Sequence, residues 1–231
     1  MRVSFLTGLR ALLRNRSGVA MVEFALGTPF LLTAGLWGAE EANYALVNMK
    51  ISQLAEHLAD NASRIGDTST LQNRRIYESD INDVIVGAQV QSGRKINLYN
   101  NGRVIISSLE VNPNSNQYIH WQRCRGLKAY NSAYGNEGQD LGAAGMGPKN
   151  EEVRAEPGDA VIFVEINYTY QPLVSAKFLG SLDIYAIASF TVRDSRDLSQ
   201  IYQRNQKLPD LVQTCNKFTG IATVSSDGTF N

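Results

Sequence analysis

The sequence predicts an α+β fold, in which a long N-terminal helix and a second helix pack on a four- to five-stranded antiparallel sheet. Three observations lead there. An apolar run from Gly18 to Ala39 passes without a break into an amphipathic stripe at helical spacing. A second stretch, over 70–91, repeats close to the helical period. From residue 93 onward, runs of β-branched and aromatic residues alternate with turn signals.

The first helix is expected over residues 19–64. Between Val19 and Ala39 its single charge is Glu23, and about 20 apolar residues are enough to cross a bilayer as a helix. Arg10, Arg14 and Arg16 precede this run, and Glu40 and Glu41 follow it. Basic residues are retained on the cytoplasmic side, so the amino end is expected inside and the rest of the chain outside. The resulting division is a leader over 1–18, a transmembrane helix over 19–39, a helical region over 40–92 and a β-rich domain over 93–231. A carboxylate inside an apolar span is costly and marks function; the plainer alternative is a Glu23 that reaches back to the headgroups. Pro29 removes a backbone donor about two turns into the span and is expected to kink it. Past Ala39, Tyr44, Val47, Ile51, Leu54 and Leu58 form a stripe with Lys50, Gln53, Glu56 and Asp60 between its members. Packing of that stripe on the chain's own domain is expected, with a coiled-coil seam to another subunit as the alternative.

Charge sharpens this division. The chain has 22 basic and 22 acidic side chains, but its first 18 residues hold four arginines and no acid, leaving 22 − 4 = 18 basic against 22 acidic, a net charge of −4 beyond the leader. No clustered basic face remains, so nucleic acid is not an expected partner.

The leader carries a further pattern. The small residue that stands out is Gly18, before the apolar run, where glycine lets backbone enter a protease cleft without a side chain in the way. A cut there would make Val19 the new amino terminus and Glu23 the fifth residue, leaving the apolar helix on the mature protein. Basic leader, glycine, glutamate five residues on and apolar helix together resemble the class III signal of type IV pilins and pseudopilins, here on Arg14, Arg16, Gly18, Val19 and Glu23. The run Val22-Glu-Phe-Ala-Leu-Gly-Thr-Pro-Phe-Leu-Leu32 is more specifically similar to the TadE-like family of tight-adherence (Tad) pilus systems. The match covers roughly residues 14–60 and is diffuse beyond.

That resemblance implies a pilin-like fold and a minor pilin or pseudopilin acting in pilus initiation, at the tip or at the base. It implies processing after Gly18 by a prepilin peptidase, and a Glu23 that meets the amino terminus of a neighbouring subunit. Other pilins, an inner-membrane assembly platform and membrane lipid would be its partners. It would sit in a bacterial inner membrane with a periplasmic C-terminal domain. The alternatives are a membrane-anchored adhesion or binding module with an uncleaved anchor, and an anchored enzyme whose site the sequence does not display.

The second helix is expected from Ile76, Tyr77, Ile81, Val84, Ile85 and Ala88, ending at Gln91-Ser-Gly93. Ser79 or Asp80 would instead cap a shorter helix beginning there. Lys95–Tyr99, the Asn-Gly pair at 101–102 and Arg103–Val111 read as a hairpin, since Asn-Gly suits turns that need positive φ. Asn112–Asn116 is a turn, and Tyr118–Cys124 a third strand. Residues 125–158, with seven glycines and two prolines, form a long loop, expected either to contact a partner or to be disordered. Gly142-Ala-Ala-Gly-Met-Gly147 lacks the Gly-Lys-Ser/Thr ending of a phosphate loop. Ala160–Tyr170 is the strongest strand, Val174–Gly180 a turn or short helix, and Ser181–Val192 a fifth strand antiparallel to its predecessor. The remainder is irregular.

Cys124 and Cys215 both lie in the part assigned to the outside, where disulfides persist. They are expected to pair, two separate buried thiols being the alternative. Two scattered histidines and two cysteines show no metal-ligand spacing, no catalytic constellation is visible, and no cofactor or metal is expected.

Overall fold

The computed structural model describes residues 18–66, 73–174, 180–193 and 195–220. The chain forms two units, Met1–Tyr44 with Pro172–Val174, and Ala45–Gln171 with Ser175–Asn231. Its elements make an α+β fold with a five-stranded antiparallel sheet.

Helix α1 (Val19–Arg64) runs 46 residues and continues through Pro29. The proline deprives the Ala25 carbonyl of its partner but does not end the helix. The amphipathic stripe is covered by the chain itself from Ile51 onward, where Ile51, Leu54, Ala55, Leu58, Ala59 and Ala62 are buried. Tyr44 and Val47, nearer the apolar run, are half-buried.

Helix α2 (Glu78–Ile96) takes the shorter of the two expected forms. Residues 73–77 are not helical. Asp80 accepts the Tyr77 backbone N–H at 3.2 Å, which fixes the start. Its inward face is Ile81, Ile85 and Ala88. Gly93, at φ 75° and ψ 168°, interrupts the helix, a backbone setting that glycine reaches without a Cβ penalty.

The expected strand at Lys95–Tyr99 and its Asn-Gly hairpin turn are not present. The chain there finishes α2, places Asn97 in the left-handed region and makes a one-turn helix, α3 (Leu98–Asn101). Side chains explain the difference. Ile96, Leu98 and Tyr99 are buried, and the Tyr99 hydroxyl donates to the Ile85 carbonyl at 2.6 Å. Gly102 is extended at φ −146°. It is a close-approach glycine, since an added Cβ would sit 2.9 Å from the carbonyl oxygens of both Asn167 and Leu98.

The strands are β1 (Gly102–Val111), β2 (Gln117–Arg125), β3 (Asp140–Gly142), β4 (Ala160–Thr169) and β5 (Asp183–Thr191). Their order is β3-β2-β1-β4-β5, with every pair antiparallel. The hairpin is β1–β2. Asn112 builds its turn by accepting the N–H groups of Asn114 and Asn116 on Oδ1 at 2.9 and 3.1 Å. Central β1 is buried along nearly its whole length, as expected of a strand covered on both faces.

One face is covered by the segment expected to be a loop. Met146 and Ala155, with Tyr134, Leu141 and Val153, pack on Leu109, Ile119, Val161 and Phe163. Residues 125–158, mostly irregular, form a layer packed on the sheet that includes β3 and a Met146–Val153 bridge. Side chains alternate across a strand, so Tyr168 points to the opposite face from Phe163, and its hydroxyl donates to the Ile96 carbonyl of α2 at 2.9 Å. The expected turn at 174–180 lies mostly outside the described residues.

Candidate functional site

Gly18 stands in a turn directly before α1, and its carbonyl accepts the Val22 N–H at 3.1 Å. Among the described residues, nothing lies within 4 Å of where a Gly18 Cβ would be. The first helical residue is Val19. Around it Met21, Val22, Phe24 and Leu26 are 58% to 74% exposed, and Phe30, Leu31 and Leu32 are equally uncovered. Glu23 is exposed among them, with no ion-pair partner among the described residues. The polar hydroxyls of this stretch are satisfied within the helix: Thr28 donates to the Phe24 carbonyl at 2.6 Å and Thr33 to that of Pro29 at 2.7 Å. A helix that turns its hydroxyls onto its own carbonyls and its apolar side chains outward suits a solvent without hydrogen-bonding groups. Val19, Glu23 and Pro29 thus lie on the uncovered N-terminal part of α1, with Gly18 in the turn just before it. Arg10, Arg14 and Arg16 lie outside the described residues.

Cys124 and Cys215 form a disulfide with Cα atoms 4.7 Å apart, closing a separation of 91 residues. It fastens the irregular C-terminal segment along the outer edge of β2, where Cys124 N–H donates to the Gln213 carbonyl at 2.7 Å and Gly126 N–H to that of Thr219 at 2.8 Å. Arg125 Nε adds a bond to the Gly220 carbonyl at 2.6 Å. Farther along, Gln139 and Gly138 pair with Ile119. An edge otherwise open to another chain is capped in this way.

The sheet also buries charges that the sequence did not mark. Glu165 is fully buried on β4. It accepts from the hydroxyls of Tyr130 and Tyr185 at 3.0 Å, from the Ala133 N–H at 3.0 Å and from the Ser132 hydroxyl. Burial pushes the Tyr130 phenol up to about 12 and raises that of Tyr185 as well, so both remain donors. A cleft of about 240 Å³ beside the disulfide is lined by Arg103, Gln122, Tyr130 and Ser132. Its hydroxyls are already committed to Glu165, and the Arg103 amino groups to backbone carbonyls.

On the sheet's other face, Ser108 donates to Glu110 Oε1 at 2.7 Å, and His120 Nδ1 lies 2.8 Å from Oε2. The carboxylate stands between hydroxyl and imidazole. Nucleophilic catalysis needs the imidazole in that middle place to take the hydroxyl proton, so the arrangement fixes the His120 ring and does not activate Ser108. Among the described residues, no group of three or more His, Cys, Asp or Glu side chains is placed to hold a metal ion.

Fold and site together define an α+β protein with an intradomain disulfide and, among the described residues, one N-terminal helix long and apolar enough to span a membrane. No protein-family model, no curated protein and no solved structure matches the chain.

Proposed function

We propose that this protein is a minor pilin or pseudopilin of a Tad-type pilus, an assembly subunit that a prepilin peptidase processes after Gly18. The observation that supports this reading is the placement of Gly18, Val19 and Glu23: an unobstructed glycine, the first residue of α1, and a carboxylate exposed on an otherwise apolar helix. Cleavage after Gly18 creates an ammonium at Val19. A carboxylate in lipid is unfavourable without a positive partner, and the Val19 ammonium of an adjoining subunit supplies one, in register, as helices gather in the membrane. The domain that follows α1 is carried outside the membrane on its buried stripe, where the disulfide is stable.

Mass spectrometry of the protein purified from its own membrane tests this. A new terminus at Val19, lost in Gly18→Phe, is the expected result. An intact Met1, or a cut near Ala39, would refute processing and leave the anchored adhesion module as the better reading. A second test is Glu23→Ala, which is expected to abolish incorporation into the pilus while leaving cleavage intact.

A further inference from the structure

The apolar part of α1 ends at Ala39, and the next residue, Glu40, is 5% exposed although it sits at the end of a span with no other cover. Its carboxylate is occupied by backbone from far along the chain. Leu173 N–H donates to it at 3.0 Å and Val174 N–H at 2.9 Å, both to Oε2. These residues belong to the connection between β4 and β5, and Pro172–Val174 joins the same unit as the apolar helix. Leu173 and Val174 nonetheless keep their own side chains 54% and 47% exposed.

Two geometric facts set the depth of this contact. Residues 19–39 form 21 residues of α1, about 31 Å at ~1.5 Å per residue, which matches the ~30 Å hydrocarbon core of a bilayer. Helical side chains also lean toward the helix N-terminus, so Glu40 covers the turn before its own Cα. That turn contains Leu36 and Trp37, 52% and 57% exposed, and tryptophan favours the boundary between hydrocarbon and headgroups. Glu40 therefore holds Leu173 and Val174 at the level of Trp37. At 5% exposure the Glu40 carboxylate has given up its water, and two peptide N–H groups take its place.

We propose that Leu173 and Val174 form a second membrane contact, in which this connection inserts its two apolar side chains into the lipid interface on the domain side of the bilayer and Glu40 acts as its positioning residue. The occupant is lipid because Leu173 and Val174 are hydrogen-bonded to Glu40, the residue directly after the apolar run, and keep their own side chains exposed there. The proposal rests on the membrane-spanning reading of α1 and is independent of cleavage or pilus assembly. Its consequence is two-point attachment to the membrane in place of a single helical tether.

Nitroxide labels on full-length protein in phosphatidylcholine–phosphatidylglycerol vesicles test this, with the native disulfide kept oxidised so that only the introduced cysteine reacts. Labels go at Leu173→Cys and Val174→Cys, with Leu31→Cys reporting the span and Glu152→Cys reporting water. Collision with oxygen marks lipid, and collision with a nickel chelate marks water. The expected result is oxygen over nickel at 31, 173 and 174, and the reverse at 152. If 31 is in lipid while 173 and 174 behave like 152, the second contact is overturned and the span stands. If 173 and 174 are shielded from both reagents, a protein covers them and the lipid assignment is overturned. If 31 collides with nickel, the span itself falls and this inference with it. Glu40→Ala is expected to shift the label at 173 toward nickel and leave 31 unchanged, with Glu40→Gln keeping part of the protection; no shift in Glu40→Ala overturns the positioning role.

Discussion

Arg103 donates from Nη2 to the carbonyl of Cys215 at 2.6 Å, so the half-cystine that anchors the C-terminal segment is held a second time by a buried guanidinium. Nη1 of the same side chain reaches the carbonyls of Gly126 and Lys217 at 3.0 and 3.1 Å, and its Cζ lies 4.1 Å from the Phe218 ring centroid. Burial lowers its pKa from the ordinary arginine value. Replacing both Cys124 and Cys215 by Ala is expected to cost about 4 kcal/mol on the chain-entropy account for a loop near this length. Arg103→Met is expected to cost about 3 kcal/mol, because three carbonyls lose charged donors. The two losses should combine to less than their sum, since each substitution frees the segment that the other would have held. Denaturant unfolding of the full chain in detergent, followed by fluorescence, measures all three variants. Strict additivity would show that the two fastenings are independent.

A second buried pair joins α2 to the sheet. Arg123 Nε lies 3.0 Å from Glu78 Oε2, with Nη2 on Oε1, and both side chains are nearly excluded from solvent at 8% and 5%. Glu137 meets the same guanidinium at 3.1 Å but is 52% exposed. Removing one partner of a buried pair strands the other charge, so Glu78→Ala is expected to cost about 3 kcal/mol. Glu137→Ala should cost under about 1 kcal/mol, because water replaces an exposed partner. The same unfolding experiment ranks them; equal costs would mean that Glu78 is better solvated than its burial indicates.

What the sequence disclosed and what it withheld follow from where each signal originates. Helix α1 was legible because its evidence is local: composition over 19–39, then the stripe through Ile51, Leu54 and Leu58. Val19, Glu23 and Pro29 fall on that helix, and Gly18 directly before it, for the same reason. The disulfide was legible because two cysteines, expected outside a reducing compartment, have few choices. The strand at 95–99 was misread because Asn-Gly carries two meanings. It marks a positive-φ turn or a place where backbones approach, and only the carbonyls of Asn167 and Leu98 decide between them. The loop 125–158 was legible in its glycines and prolines, but its packing was not, because glycine content speaks of the local chain, whereas Met146 and Ala155 are placed by Leu109, Val161 and Phe163. The Glu165 cluster was invisible because its hydroxyl donors lie 20 to 35 residues away. Glu40 was read only as a flanking charge because its partners come 133 and 134 residues later.

The Gly102 reading makes a prediction of sign. Adding a methyl group at Gly102 drives it against two backbone oxygens, 2.9 Å away and without rotamers to yield. Gly102→Ala should therefore cost about 1–3 kcal/mol, the range of overpacking. Gly87 lies within α2 with nothing within 4 Å of its added Cβ, and Gly87→Ala should stabilise the chain by about 0.5–1 kcal/mol through helix propensity. Thermal unfolding of the two variants should move in opposite directions. A stabilised Gly102→Ala would mean that β1 and α3 are not in close contact.

The Glu110–His120 pair predicts how stability follows pH. In the β1–β2 register Ser108 faces Trp121 and Leu109 faces Ile119, so His120 is the extra residue of a bulge, and its ring turns to the buried Glu110. That hydrogen bond raises the His120 pKa above the ordinary 6.5; burial opposes it, and the charges of Glu110 and Glu137 add to it. Tyr118, the other titratable neighbour of Glu110, is itself raised above its ordinary 10.0 by burial and by that carboxylate, and stays protonated here. The folded state thus holds the His120 proton more tightly than the unfolded chain does. Its contribution is present in full below 6.5 and is lost as pH rises through the folded pKa, so unfolding free energy should fall with rising pH across that window. Glu110→Gln and His120→Gln should each flatten the slope, because one removes the charge that favours the imidazolium and the other removes the titrating group. Denaturant midpoints of the full chain measured on both sides of the window decide it. A slope that survives in His120→Gln would assign the titration to another group.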